Sequence, residues 1–266
     1  MNSSETLPIT FVTSSDGNRK ADIFQAWLPN HKITQREPLY NEDQIHQIAP
    51  HTEHRPQVIA ERKAKDDIAM AQAISGIANV IVEDGDLYTK GSEKMLLYTD
   101  TVQLVHISDT EIAMLEKPKM EAVEWAMYSP EAMMQSGKDI EIINAMTGIR
   151  TSKDGISEPS TVIVRVRATM RPFTREEVVA YANQPKSTVA ETSGGLSIAN
   201  GGRSFYDMTK PLTVSIADSM DDVPTELVRY ITWEHVTNAE LKPFICGAIA
   251  PAIDQLLAKT ASPKMI

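Results

Sequence analysis

The chain has 266 residues, 42% hydrophobic and 23% charged, a balance that suits a globular fold with a sizeable core. Its formal net charge of −10 argues against broad binding of polymeric nucleic acid or of anionic membranes, both of which want a basic face. A single cysteine, Cys246, excludes an intrachain disulfide, and no apolar run approaches the roughly 18 residues that span a bilayer. The polar N-terminus lacks the basic-then-apolar layout of a signal peptide, so a cytoplasmic protein is expected.

In chain order, Pro8 to Thr13 predicts a short apolar strand. Ser14 to Asn18 predicts a turn, and Arg19 to Leu28 an amphipathic helix that stops before Pro29. His31 to Arg36 predicts a second strand. Pro38 to Arg55, with His46, His51 and His54, reads as a solvated polar loop without metal-ligand spacing. Pro56 suits the first turn of a helix that runs toward Ile74. Asn79 to Glu83 and Met95 to Val105 predict strands joined by a hairpin-like link over 84–94.

Further on, Glu121 to Tyr128 is helical, and Ser129-Pro130-Glu131 restarts a helix that Ser136-Gly137 ends. Ile140 to Thr147 and Thr161 to Thr169 predict strands, the latter with Val162, Val164 and Val166 on one face. Thr174 and Glu177 form a capping-box pattern. Ser187 to Arg203 reads as a glycine-rich loop or bent hairpin. The C-terminal part reads as less regular, ending in a helix over about 248–258. Strands and helices mix throughout, which predicts a single α/β domain over 1–266 with two lobes around a cleft.

Five segments carry candidate chemistry. Ser14 and Ser15, followed by Arg19 and Lys20, place hydroxyls and cations at a helix start, where backbone N–H groups attract anions. Glu61 and Lys65 have the spacing of an i,i+4 pair, whereas Lys63 lies on another face and can point into a cleft. Glu83, Asp84 and Asp86 gather at a strand end, where hard oxygen ligands favour Mg²⁺. Asp100 ends the segment Tyr98-Thr99-Asp100, with Lys117 downstream in Glu116-Lys117-Pro118. Gly194 and Gly195, with Gly201 and Gly202, permit tight bends and close ligand approach. Each segment also has an ordinary structural reading: a capped turn, a solvated helix face, an acidic turn, a strand-end aspartate, a surface loop.

The order of these segments resembles that of the Maf and inosine-triphosphate pyrophosphatase superfamily, the Maf branch above all. The strand, Ser-rich turn and basic helix of that family are similar to Val12-Thr13-Ser14-Ser15 through Arg19-Lys20. Its Leu-Ala-x-x-Lys-Ala helix is similar to Ile59-Ala60-Glu61-Arg62-Lys63-Ala64. The Maf segments Ala-Asp-Thr-Val-Val and Gly-Lys-Pro are similar to Thr99-Asp100-Thr101-Val102 and Glu116-Lys117-Pro118. Ser136-Gly137, Thr147-Gly148, Ser193 to Gly201, and Gly247 to Pro251 follow in the family's order.

The resemblance implies a mixed twisted sheet with flanking helices and a central cleft. It implies hydrolysis of a nucleoside triphosphate to the monophosphate and pyrophosphate with Mg²⁺ or another divalent cation. Asp100 would activate water, and Asp84, which matches the inosine-triphosphatase branch, competes for that role. Glu53, Glu83, Asp84 and Asp100 would hold the metal, with Glu42 as a rival to Glu53. Ser14, Ser15, Arg19, Lys20, Lys63 and Lys117 would hold the phosphates, and Gly194, Gly195 and Asn200 would line the base pocket. Relatives imply a homodimer. Departures at Asn18, where the family has arginine, and at Ala199 or Asn200, where it has glutamine, favour an alternative: a non-catalytic nucleotide-binding or scaffold protein on the same fold.

Overall fold

The computed structural model describes residues 7–14, 21, 24–25, 28–50, 52–75, 81–83, 86–88, 93–118, 120–152, 155–184, 189, 193–195, 209–217, 225–231 and 251–261. For 81–83, 86–88, 209–217 and 225–231 only the backbone is described. In chain order, β1 (Ile9–Val12) and β2 (Ile33–Arg36) lead to α1 (Glu42–Ile48) and α2 (Arg55–Ser75). Next come β3 (Ile81–Glu83), β4 (Asp86–Tyr88), β5 (Lys94–His106) and β6 (Ile112–Leu115). Helices α3 (Ala122–Tyr128) and α4 (Pro130–Met134) precede β7 (Asp139–Ser152), β8 (Gly155–Ile156) and β9 (Ser160–Met170). Helix α5 (Arg175–Ala182), strands β10 (Thr209–Ala217) and β11 (Thr225–Ile231), and helix α6 over 251–260 complete the described elements.

The main sheet is mixed, with order β11-β10-β9-β7-β5-β1-β2, β6 pairing with β5 and β8 with β7. Strand β1 runs parallel to both β2 and β5, and the remaining pairings are antiparallel. Strand β5 is buried on both faces because its side chains alternate between two cores. Met95 and Leu97 join Phe11, Trp125, Val178, Ile253 and Leu256 beneath α3, α5 and α6. Leu96 and Tyr98 join Val12, Ile45, Ile59, Ala64 and Ile149 beneath α1 and α2. Each fully buried side chain of this size contributes about 1.5–3 kcal/mol. The architecture is thus α/β, with helices flanking both faces of a mixed sheet.

Three expectations need correction. The polar stretch 38–55 is not all loop. Asn41 caps α1 by accepting a hydrogen bond from the Gln44 N–H at 3.2 Å, and Glu42 and Asp43 complement the helix dipole in the first turn. The link over 84–94 contains β4, which pairs with β3 as a separate two-stranded sheet. The C-terminal part contains two further strands, and β10 extends the sheet against β9. Pro211 falls where that register shifts, a bulge at which its missing N–H breaks no ladder bond.

Other features agree with the pattern. Thr174 and Glu177 form the expected capping box on α5, and Ser129 caps α4 with Pro130 in its first turn. No helix among the described residues is long and apolar enough to cross a membrane.

Candidate functional site

The parallel strands determine where the site forms. Pairing of Ile9 with Met95 and Phe11 with Leu97 fixes the register of β1 on β5. Continued along the chain, that register brings Ser14 level with Asp100. Strand β6 then takes up the same edge of β5 only from Gln103, opposite Leu115. Residues 98–102 of β5 therefore face a notch between the carboxyl ends of β1 and β6. In open α/β sheets, ligands bind outside the carboxyl ends of strands where the strand order switches.

Five side chains from four segments meet at this notch. Lys63 lies on the buried stripe of α2, which repeats every three or four residues through Ile59, Ala60, Lys63, Ala64, Asp67 and Ala71. Its ammonium donates to Glu42 Oε1 at 2.7 Å, to Asp100 Oδ1 at 3.2 Å and to the Thr99 carbonyl at 3.3 Å. The Ser14 hydroxyl donates to Glu42 Oε2. His46, one turn along α1 from Glu42, places Nε2 3.5 Å from Glu42 Oε1 and 3.7 Å from Asp100 Oδ1.

The electrostatics follow from these contacts. Burial alone would raise the Glu42 carboxyl, but His46, Lys63 and Ser14 outweigh it and hold Glu42 well below the usual carboxylate range. Burial alone would lower the Lys63 ammonium, yet the charges of Asp100 and Glu42 keep it above the ordinary lysine value. Glu42 is thus ionised at neutral pH. The neighbouring Tyr40 hydroxyl is pushed up by burial first, then by Glu42, Asp67 and Asp100. It stays neutral.

The glycine turn closes the other side of the notch. Gly194 and Gly195 both have φ +70°, a conformation that L side chains rarely adopt. A Cβ on Gly195 would lie 2.4 Å from Trp125 Cη2, so the turn needs glycine for space as well as for dihedral angle. Ser193 Oγ donates to the Thr101 carbonyl at 2.8 Å, and the Gly194 N–H donates to the Glu116 carbonyl at 3.0 Å. The buried Gln135 amide donates to the Gly194 carbonyl at 2.7 Å. Arg55 Nη2 lies 3.7 Å from Glu116 Oε1 and donates to the His46 carbonyl at 3.0 Å, which ties α1, α2 and the Glu116-Lys117 segment together.

The structure brings Ser14, Lys63 and Asp100 of the expected site together, with Gly194 and Gly195 beside them. It does not join Lys117 to Asp100. Lys117 is exposed and forms no ion pair among the described residues, and the lysine paired with Asp100 is Lys63. Glu53 is not in the cluster either. It lies beside His54 at 4.0 Å, and the carboxylate at the site is Glu42. The expected Glu61–Lys65 pair does not form among the described residues. Glu61 instead accepts hydrogen bonds from Gln57 and Thr161. Ser15, Arg19, Lys20, Asp84 and Asn200 lie outside the described residues, and only the backbone of Glu83 is described.

One contributor escaped the sequence reading. His46 was placed in a solvated loop, but it sits on α1 and faces both carboxylates. The signal was Asn41 before two acidic residues, a helix start that puts Glu42 and His46 on one face. The donor set also fits a hard divalent cation. Glu42, His46 and Asp100 each offer one ligand atom, all within 4.8 Å of one another. One or two carboxylates completed by water and phosphate oxygens are the usual protein share of a Mg²⁺ site, and an added imidazole suits Mn²⁺ as well.

No family model matches the chain, and no curated protein matches it.

Proposed function

We propose that the protein hydrolyses a nucleoside triphosphate to the monophosphate and pyrophosphate. The reaction takes place in a cleft between two lobes of a single domain spanning 1–266, as the Maf resemblance implies. The observation that carries this reading is the convergence of Ser14, Glu42, Lys63 and Asp100 at the strand-end notch. Three of those four residues come from motifs whose order suggested the family.

Asp100 holds a water and accepts its proton as the oxygen attacks the α-phosphorus. The bond from that phosphorus to the α–β bridging oxygen breaks, and its electron pair leaves on pyrophosphate. Lys63 is saturated by Glu42, Asp100 and a carbonyl. Its role is therefore to keep Glu42 ionised and to aim both carboxylates rather than to grip phosphate. Phosphate neutralisation falls to Lys117, Arg19 and Lys20, and phosphate hydrogen bonding to Ser15, since the one hydroxyl proton of Ser14 goes to Glu42. Gly194, Gly195 and Asn200 border the base. Glu42 and Asp100, with His46 alongside, would hold a divalent cation, which would supply further neutralisation of the triphosphate.

The test is a pyrophosphate-release assay over a panel of common and damaged nucleoside triphosphates with Mg²⁺ or Mn²⁺. Release of pyrophosphate with equimolar monophosphate supports the reading. Nucleotide binding without release of pyrophosphate from any member of the panel identifies a nucleotide-binding protein instead.

A further inference from the structure

One turn along α2 from Lys63, a second buried charge sits on the same stripe. Asp67 is fully buried, and its carboxylate is bonded to three different parts of the chain. Tyr98 of β5 donates its hydroxyl to Asp67 Oδ2 at 2.8 Å. Arg36, at the end of β2, donates Nη2 to Oδ2 at 2.5 Å and Nη1 to Oδ1 at 3.4 Å. The Leu39 N–H donates to Oδ1 at 2.9 Å. Arg36 Nη1 also donates to the Glu37 carbonyl at 2.9 Å, which closes the turn between β2 and α1.

Each partner lies a few residues from a member of the site. Tyr98 is two residues before Asp100 on the same face of β5. Leu39 is three residues before Glu42. Asp67 itself is four residues after Lys63. The Lys63–Asp100 and Asp67–Tyr98 contacts form two rungs between the same helix and the same strand.

Stability alone does not explain this arrangement. Buried ion pairs are often no better than apolar residues of the same volume, because desolvation offsets the attraction. Here Arg36 Nε is also buried without a hydrogen-bond partner among the described residues, a cost that a purely stabilising network would avoid.

We propose that Asp67 is the positioning residue of the site: through Tyr98, Arg36 and Leu39 it sets the register of β5, α2 and α1 so that Asp100, Lys63 and Glu42 meet. Its effect on turnover rests on the function proposed above, whereas its effect on the Lys63 contacts does not. A misplacement of about 1 Å at reacting groups costs about a hundredfold in rate, so a loosened register acts on kcat before KM.

The experiment compares wild type with Tyr98→Phe, Asp67→Asn and the double variant Arg36→Met/Asp67→Leu, which replaces the ion pair with apolar volume. Three quantities are read: melting temperature, kcat and KM for pyrophosphate release, and the rate at which Lys63 is acylated in competitive labelling followed by mass spectrometry. The double variant is expected to melt close to wild type while kcat falls about tenfold or more with KM little changed. Lys63 is expected to label several-fold faster in every variant. Tyr98→Phe, which removes one hydroxyl and keeps the ring, carries the same test if the charge variants do not fold. Wild-type kcat and wild-type Lys63 labelling in a folded variant would overturn the proposal and leave Asp67 a structural residue. If wild type releases no pyrophosphate, the labelling alone decides: faster labelling supports the positioning role, and unchanged labelling overturns it.

Discussion

Replacing Lys63 with methionine removes the cation between Glu42 and Asp100 while keeping most of the volume. Breaking a fully buried ion pair from one side costs about 3–5 kcal/mol. The Glu42 and Asp100 side chains retain 23% and 11% exposure, so solvent relieves part of this and about 2–3 kcal/mol remains. For a chain of this length that corresponds to a fall of roughly 4–12 °C in melting temperature. The cost depends on pH in a way that a simple cavity would not.

In the wild type the Glu42 carboxyl titrates below the usual range, so its contribution is complete above that range and is lost as pH falls through it. In Lys63→Met the two carboxylates repel without the cation between them, and the penalty is greatest near neutral pH. Acidification protonates them and narrows the gap between variant and wild type. Thermal melts of both proteins from about pH 4 to about pH 8 check this, and Mn²⁺ is expected to raise the melting temperature of the variant more than that of the wild type. A penalty that stays constant across pH and is indifferent to divalent cation would refute the reasoning.

Other expectations follow from the same geometry. Gly195→Ala places a Cβ against Trp125 at positive φ and should cost about 2 kcal/mol or more, read as a lower melting temperature; an unchanged value would contradict the docked turn. Lys94 is held down to about 8 by burial, with Arg36 adding to the effect, so below that pH the fold carries a poorly solvated ammonium. Lys94→Met should therefore raise the melting temperature at neutral pH, and the gain should shrink as pH climbs from about 8 toward the ordinary lysine range. A variant less stable than wild type at neutral pH would contradict this. His46→Gln should weaken Mn²⁺ more than Mg²⁺, measured by direct titration, because an imidazole nitrogen favours the softer ion. Equal losses for both ions would remove His46 from the ligand set.

What was legible in the sequence was mostly local. The alternation of Val162, Val164 and Val166 and the Thr174–Glu177 box are short-range patterns, and the structure contains both elements. Strand β10 carried the same kind of signal in Leu212, Val214 and Ile216, but Pro211 masked it until the bulge explained the proline. Helix α1 was hidden by its polarity, since only Ile45 of its seven residues is buried.

The candidate site was partly legible because Lys63 departs from the charged face of α2. Asp67 departs in the same way, and its spacing of four residues was an equal clue. Its partners were not legible, because Arg36, Leu39 and Tyr98 lie about thirty residues away in either direction and meet it only through the fold. The pairing of Asp100 with Lys63 rather than Lys117 has the same origin. Parallel strands and a crossing helix, not sequence proximity, decide which lysine reaches the aspartate.

The most direct measurement is nucleotide turnover by wild type, Asp100→Asn and Asp84→Asn under identical divalent cation, with folding checked by circular dichroism. Pyrophosphate release by wild type, a loss of about a hundredfold or more in Asp100→Asn, and substantial retention in Asp84→Asn are the expected results. Full turnover in Asp100→Asn, with activity abolished only in Asp84→Asn, would contradict the assignment of Asp100 and move the chemistry away from the notch that Lys63, Glu42 and Ser14 surround.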